Sequence, residues 1–243
     1  MIDSKIIINW ALSKGLKVQS NFNFQNLIEK PWNINESIEN NLSFITNGWK
    51  ENNAGIVFSN TFQESFKGII IVSETPKLDF VRCVRELFKP EPAKIISGKD
   101  VFIGENCSIG KDGFQYLRDG DKLVKFPHFG NVILEDEVEI GNNVSVARGA
   151  LSNTILRKGV KTDNEIHIAH NVQIGENTMI AANAMIAGSA KIGKNCWLSP
   201  SCSIINQITI GDNCLIGIGA VVIKDVEPNS VMVGNPAKLL RKQ

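Results

Sequence analysis

Three histidines, His128, His167 and His170, are the side chains of this 243-residue chain whose ordinary titration range spans neutral pH. His170 stands in Asp163-Asn-Glu-Ile-His-Ile-Ala-His-Asn171, two residues past an apolar position. A side chain there can leave the packed wall and face a neighbour. A neutral imidazole so placed can take a proton from an attacking amine or hydroxyl. Asp163 or Asn164 can orient the ring, or can equally be formers of the corner turn. A surface histidine without function is the competing reading. His167 lies on the outward alternation and reads as solvated. His128, between Pro127 and Phe129, reads as solvated or as a ligand contact from a loop. The spacing His-x-x-His has no clear acidic or sulfur ligand to complete it, so no metal and no other cofactor are expected. Of five cysteines, Cys107, Cys196, Cys202 and Cys214 take small inward slots of the repeat described next, and Cys83 falls in an expected helix. They read as packing residues. No nucleophile elbow or exposed thiol suggests a covalent intermediate.

What must position His170 is a six-residue repeat. Twelve hexads run without a slip over 156–226, with lead residues such as Ile168, Ile174, Ile180 and Ile186; only Thr162 among the leads is not apolar. A second inward residue follows four places after each lead, as in Val172 and Ala184, up to Val226. Neither a helix nor a simple alternating strand has this period. It is the mark of a parallel β-helix, in which each hexad is a short strand plus a corner and stacked coils bury a continuous core. Weaker hexads start near Lys94. They break between Gln115 and Asn131, and shift phase once between Val146 and Leu156. The break, which holds Arg118-Asp-Gly-Asp-Lys122, reads as a loop thrown from one corner, a common place for function.

Residues 1–90 show no hexads. Ile6 to Leu12 with Gly15 beyond predicts a helix, Gly55–Phe58 and Gly68–Val72 predict buried strands, and Pro76 opens a second helix. The expected organisation is a small α/β domain at 1–92, a β-helix at 93–228 interrupted near 115–131, and a tail at 229–243. Phe114 and Tyr116 read either as loop core or as a ligand wall. Formal net charge is +1, which gives no broad case for nucleic acid. No apolar run reaches the roughly 18 residues of a membrane span, and no signal peptide opens the chain. A cytoplasmic location is expected.

The motifs Ile109-Gly-Lys-Asp-Gly-Phe-Gln-Tyr116, Arg148-Gly-Ala-Leu151, Asp163-Asn164 and Ile168-Ala-His-Asn-Val172 together resemble the UDP-3-O-(3-hydroxyacyl)glucosamine N-acyltransferases of lipid A biosynthesis. The resemblance spans nearly the whole chain. It implies a mostly β fold, a left-handed parallel β-helix with a small N-terminal α/β domain, and a homotrimer with sites between subunits. It implies His170 as catalytic base, aided by Asp163 or Asn164. The family's aromatic-x-x-Asn pairing in its nucleotide-contacting domain falls on Phe44 and Asn47, which makes these, with Phe114 and Tyr116, the expected acceptor-binding residues. The family's next aromatic has no match at its spacing, where Lys50 stands beside Trp49. The ending Gly219-Ala-Val-Val-Ile-Lys-Asp-Val226, with Val233-Gly-Asn-Pro-Ala-Lys-Leu-Leu-Arg241, looks instead like hexapeptide acetyltransferases that use acyl-coenzyme A. The expected reaction is therefore N-acylation of a UDP- or dTDP-linked amino sugar. A short acyl-CoA is the co-substrate, Gly188 supplies an oxyanion N–H, and Lys238 and Arg241 sit on the donor's phosphates. The alternative is the lipid A enzyme itself, with an acyl carrier protein donor. An O-acetyltransferase, a metal-dependent carbonic anhydrase solenoid and a non-catalytic scaffold are the remaining rivals.

Overall fold

The computed structural model describes residues 1–20, 26–46, 49 and 52–242. The chain forms two compact units, Met1–Glu91 with Gln115–Phe129, and Pro92–Phe114 with Gly130–Gln243.

The first unit is α/β. Asp3 caps the helix Ser4–Ser13 through a 2.8 Å bond from the Lys5 N–H, and Gly15 follows at φ +74°, the left-handed stop a glycine accepts. The second helix, Pro76–Leu87, has proline in its first turn. A five-stranded sheet runs in the order Lys17–Gln19, Ile69–Val72, Ile56–Ser59, Asn41–Phe44 and Lys30–Pro31. Only its first pair is antiparallel. Ile56, Val57, Phe58, Ile70 and Ile71 are buried, as expected of strands that read as continuous apolar runs.

The segment expected as an extended loop is instead a β-hairpin in this unit. Tyr116–Asp119 pairs antiparallel with Lys122–Lys125 through a two-residue turn whose Gly120 sits at φ +59°. The loop is Gly120-Asp121, and glycine at the first central position is a signal of a two-residue hairpin turn. Arg82 clamps the hairpin to the second helix, donating to Asp119 (Nε–Oδ2 3.1 Å) and to Asp79 (2.7 Å). Phe126, beyond the hairpin, is 1% exposed, with its ring centroid 6.2 Å from that of Phe80 and 6.3 Å from that of Phe44. Burying so large a ring is worth about 3 kcal/mol, enough to hold the segment against this unit.

The second unit is a solenoid of three parallel sheets, one strand from each per coil. Equivalent residues stack in register: Ile168 on Ile186, Ile186 on Ile204, Ile204 on Val222. The leads are buried, Thr162 included. Cys196, Cys202 and Cys214 lie inside with them, and burial pushes the Cys196 and Cys202 thiols up to about 11. The corners share one device. The third residue after most leads adopts left-handed backbone, at φ of 54–63° for Asn143, Asn171, Asn177, Asn183, Asn195 and Asn213. Asparagine tolerates this conformation because its short amide bonds locally, whereas an ordinary L-residue loses about 1–2 kcal/mol there.

The ends of the repeat differ from the sequence reading. The last corner is shortened: Val226, expected four places after a lead, bridges Ile210 and thus stands where a lead would. The expected tail adds a rung, because Ser230–Val233 stacks in parallel on Leu215–Ile216 and Lys238–Lys242 pairs back on it antiparallel. Among the described residues no helix is long and apolar enough to cross a membrane.

Asn183→Val should therefore lower unfolding free energy by about 1–2 kcal/mol, while Asn183→Gly should stay within about 0.5 kcal/mol of the parent. Urea midpoints of the two variants check this; equal losses would mean that the corner is not held by its left-handed residue.

Candidate active site

The phase shift between Val146 and Leu156 builds an interrupted corner beside His170. From Ser145 to His167, neighbours in register, the coil takes 22 residues. Later coils take 18. The extra residues form a tight turn at 149–153. Its Gly149 and Gly130 lie so close to the Ser152 carbonyl that a Cβ would come within 2 Å of it. The buried Arg148 ties the turn down by donating to the Gly130 carbonyl (2.7 Å). Burial lowers the guanidinium's pKa, and the nearby Asp112 charge opposes that shift.

Asn171 reads this turn. Its Nδ2 donates to Ser152 Oγ (2.7 Å) and to the Ser152 carbonyl (3.2 Å), its Oδ1 accepts from the Ala150 N–H (3.0 Å), and its own N–H meets Thr154 Oγ1 (2.9 Å). The same Oδ1 lies 2.9 Å from His170 Nδ1. With the amide nitrogen committed to Ser152, that oxygen can only accept. Nδ1 must therefore carry the proton, so Nε2 is the nitrogen of this ring that can act as a base.

The ring occupies a slot between two glycines. A Cβ on Gly113 would come within 2.8 Å of His170 Cδ2, and one on Gly188 within 2.7 Å of Nε2. Gly188 also has a backbone N–H that meets no acceptor among the described residues, while the Ser189 N–H beside it donates to the His170 carbonyl (2.9 Å). Gly188 thus packs directly against the ring at Nε2. Phe114, directly after Gly113, is 90% exposed.

His167 points outward on the preceding strand, with Nδ1 2.6 Å from Ser145 Oγ. Its pKa is lowered, first by burial and then by the charge of His170.

Other expected site residues lie differently. Asp163 and Asn164 occupy the corner before the His167–Ile168 strand and are turn formers: Asp163 Oδ1 accepts from the Asn164 N–H (2.8 Å), and Asn164 Oδ1 from the Asn142 N–H (2.7 Å). The orienting bond expected of them is made by Asn171. Sequence reasoning passed over Asn171 because asparagine recurs at the same corner position for purely conformational reasons; its distinguishing signal was that it directly follows the histidine. Phe44 is a partly buried member of an aromatic cluster, 5.0 Å from Phe80, rather than an open stacking face. Asn47, like Lys50, lies outside the described residues. Tyr116 is 43% exposed on the hairpin. His128 is fully buried in the first unit, with Nδ1 2.9 Å from the Phe126 carbonyl, and is no exposed loop contact. Lys238 and Arg241 are exposed on the last strand. Among the described residues no cluster of three or more His, Cys, Asp or Glu could hold a metal ion.

A repeat with inward leads, left-handed asparagine corners and a histidine set at one corner defines the class: the solenoid is a hexapeptide-repeat left-handed β-helix. The family model described as bacterial transferase hexapeptide (six repeats) matches residues 153–188 and 189–224. Two structures share the fold. UDP-N-acetylglucosamine O-acyltransferase from Moraxella catarrhalis aligns with a TM-score of 0.55 at 20% identity, covering 83% of this chain and 63% of its own. The Arabidopsis UDP-N-acetylglucosamine acyltransferase aligns at 0.56 and 19%, covering 83% and 64%. In sequence the chain is similar to the UDP-3-O-acylglucosamine N-acyltransferase of Methylobacterium nodulans, 37% identical over 145 residues, and to that of Methylorubrum populi, 36% identical over 144. These alignments take in 60% and 59% of this chain, and the chain spans about two fifths of the length of either relative (41%).

By NMR, His167 should titrate below the usual value near 6.5, and replacing His170 with Asn should move it upward. Because the unfolded chain binds that proton more tightly, His167 should cost stability as pH falls from about 6.5 through its folded value. His170 should show the Nδ1–H form. A His167 midpoint above 6.5, or an Nε2–H tautomer at His170, would contradict this geometry.

Proposed function

We propose that this protein is an N-acyltransferase that moves an acyl group from a pantetheine thioester to the amine of a nucleotide-linked amino sugar. The observation that supports the reading is His170, whose Nδ1 meets Asn171 Oδ1 at 2.9 Å while Nε2 lies against Gly188, a residue whose N–H has no acceptor among the described residues. The acceptor amine attacks the thioester carbonyl carbon, and Nε2 takes the amine's proton. The Gly188 N–H stabilises the carbonyl oxygen as it gains charge, an effect worth about 3 kcal/mol. The C–S bond then breaks, and the departing thiolate recovers the proton from His170. Asn171 holds the ring in the tautomer this requires. The choice of amine over hydroxyl follows the N-acyltransferase relatives, whose identity to this chain is the higher. Their name fits a UDP-3-O-acylglucosamine acceptor better than the broader UDP- or dTDP-sugar reading.

The first unit suits the nucleotide end of the acceptor. Its cleft of about 760 Å³ is lined by Trp49, Phe66, Asn26, Asn52 and Asn53 among others, flat rings beside amides that can bond the edge of a base. Assembly as a homotrimer accords with one solenoid face, where Met179 (44% exposed) and Trp197 (42%) stack in register with Leu215 beyond them.

His170→Ala should lower kcat by about 10²–10⁴-fold with circular dichroism unchanged. Near-parent turnover in an assay of UDP-linked amino sugars against acyl thioesters would remove the proposed base. Gly188→Ala, whose methyl must displace Nε2, should cost about 10²-fold. Sedimentation should find a trimer; an active monomer would refute assembly as a requirement.

A further inference from the structure

The two ends of the solenoid are finished differently. At the far end one sheet continues into Ser230–Val233 and Lys238–Lys242. That last strand exposes Lys238, Arg241 and Lys242, cations of the kind that keep an edge from pairing. At the near end all three sheets stop on the first coil, at Ile95–Ser97, Phe102–Ile103 and Ser108–Asp112. None of these has a strand on its outer side among the described residues. Side chains that point into the core are open there. Ile95 is 45% exposed and Ile103 40%, whereas Val132 and Ile140, stacked on them in the next coil, are 0% exposed. Val101, Cys107 and Ile109 are likewise only partly buried against the core. On the outer side of the same coil, Ile96 (47%) and Phe102 (62%) extend the apolar surface.

The end of a stacked array needs a cover, and the charge of this one suits its own copy. Lys94, Lys99 and Lys111 balance Asp100, Glu105 and Asp112 around the coil, all of them exposed, so an identical end brings no excess of like charge. Ile95, Ile96, Phe102 and Ile103 together expose roughly 300–400 Å² per chain, short of the roughly 800 Å² per partner of a stable interface. Three such ends side by side, in the trimer proposed above, reach it. We propose that the open first coil is an interaction surface for a second copy of this chain, met head to head, with the exposed floor of one core packed on that of the other. Such a contact uses the same patch on both partners and closes on itself. The cationic far ends stop it from growing into a fibre. The area argument rests on trimeric assembly; the open end itself does not, and acyl transfer plays no part in it.

Sedimentation equilibrium over about 1–300 μM chain tests this, on the parent and on Phe102→Asp, Ile96→Glu and Leu240→Asp. The parent should move from three chains per particle toward six as concentration rises. Phe102→Asp and Ile96→Glu alter exposed side chains, so circular dichroism should be unchanged, and both should hold at three throughout. Leu240→Asp, exposed at the far end, should double as the parent does. Doubling from one chain to two, lost in Phe102→Asp, would uphold the end contact and remove the trimer. A parent fixed at three over the whole range overturns the proposal, keeps the trimer and leaves the coil to a different protein. Doubling that survives Phe102→Asp, or that is lost only in Leu240→Asp, overturns it by placing the contact elsewhere.

Discussion

Every coil of the solenoid depends on its corners turning left-handed. A parallel strand of two residues is too short to stabilise itself, and it persists because each coil lies in register on the next with an isoleucine, leucine or valine stacked inside. The regular coils keep register because their corners use the same number of residues in the same conformation. The recurring asparagine at positive φ meets that demand. It also explains why so few side chains are free to do chemistry: most residues are committed to the inward stack or to the corner.

The site therefore arises where the repeat fails. The four additional residues between Ser145 and His167 supply Ser152 and Ala150 as partners for the Asn171 amide, and the amide in turn holds the imidazole. Gly113 and Gly188 leave room for the ring on either side. Regular coils above and below give rigidity, and the irregular one gives the hydrogen-bonding groups. A side chain held by several bonds in one geometry tolerates little play, and a stack of parallel strands is well suited to deny it.

A second interruption serves the first unit. Residues 115–129 leave the repeat as a hairpin and deliver Phe126 into a cluster with Phe44 and Phe80. Arg82, held by both Asp79 and Asp119, is correspondingly harder to deprotonate. The segment is thus a structural part of the α/β unit. Its polar tip, Arg118 to Lys122, suggested a functional loop because turn chemistry and loop chemistry use the same residues.

The sequence by itself determined the solenoid, because a six-residue period with inward branched side chains fits no other regular structure, and it determined where that period breaks. It also placed His170 at a corner, since it stands two places past a lead, and left a surface histidine as the competing reading until the motif's resemblance favoured a base. The two helices and the central strands of the first unit were legible from proline, glycine and apolar runs. What only the tertiary structure decided was which residues meet across coils. Asp163 and Asn164 are near His170 in sequence but lie at the preceding corner, because a strand intervenes. Gly113 and Ser152 are distant in sequence and meet the His170–Asn171 pair, because stacking brings them level with it. Composition could not separate an asparagine that merely turns a corner from one that also fixes a tautomer. That difference lies in the partner of its amide, and in a repeat protein such partners come from the neighbouring coil.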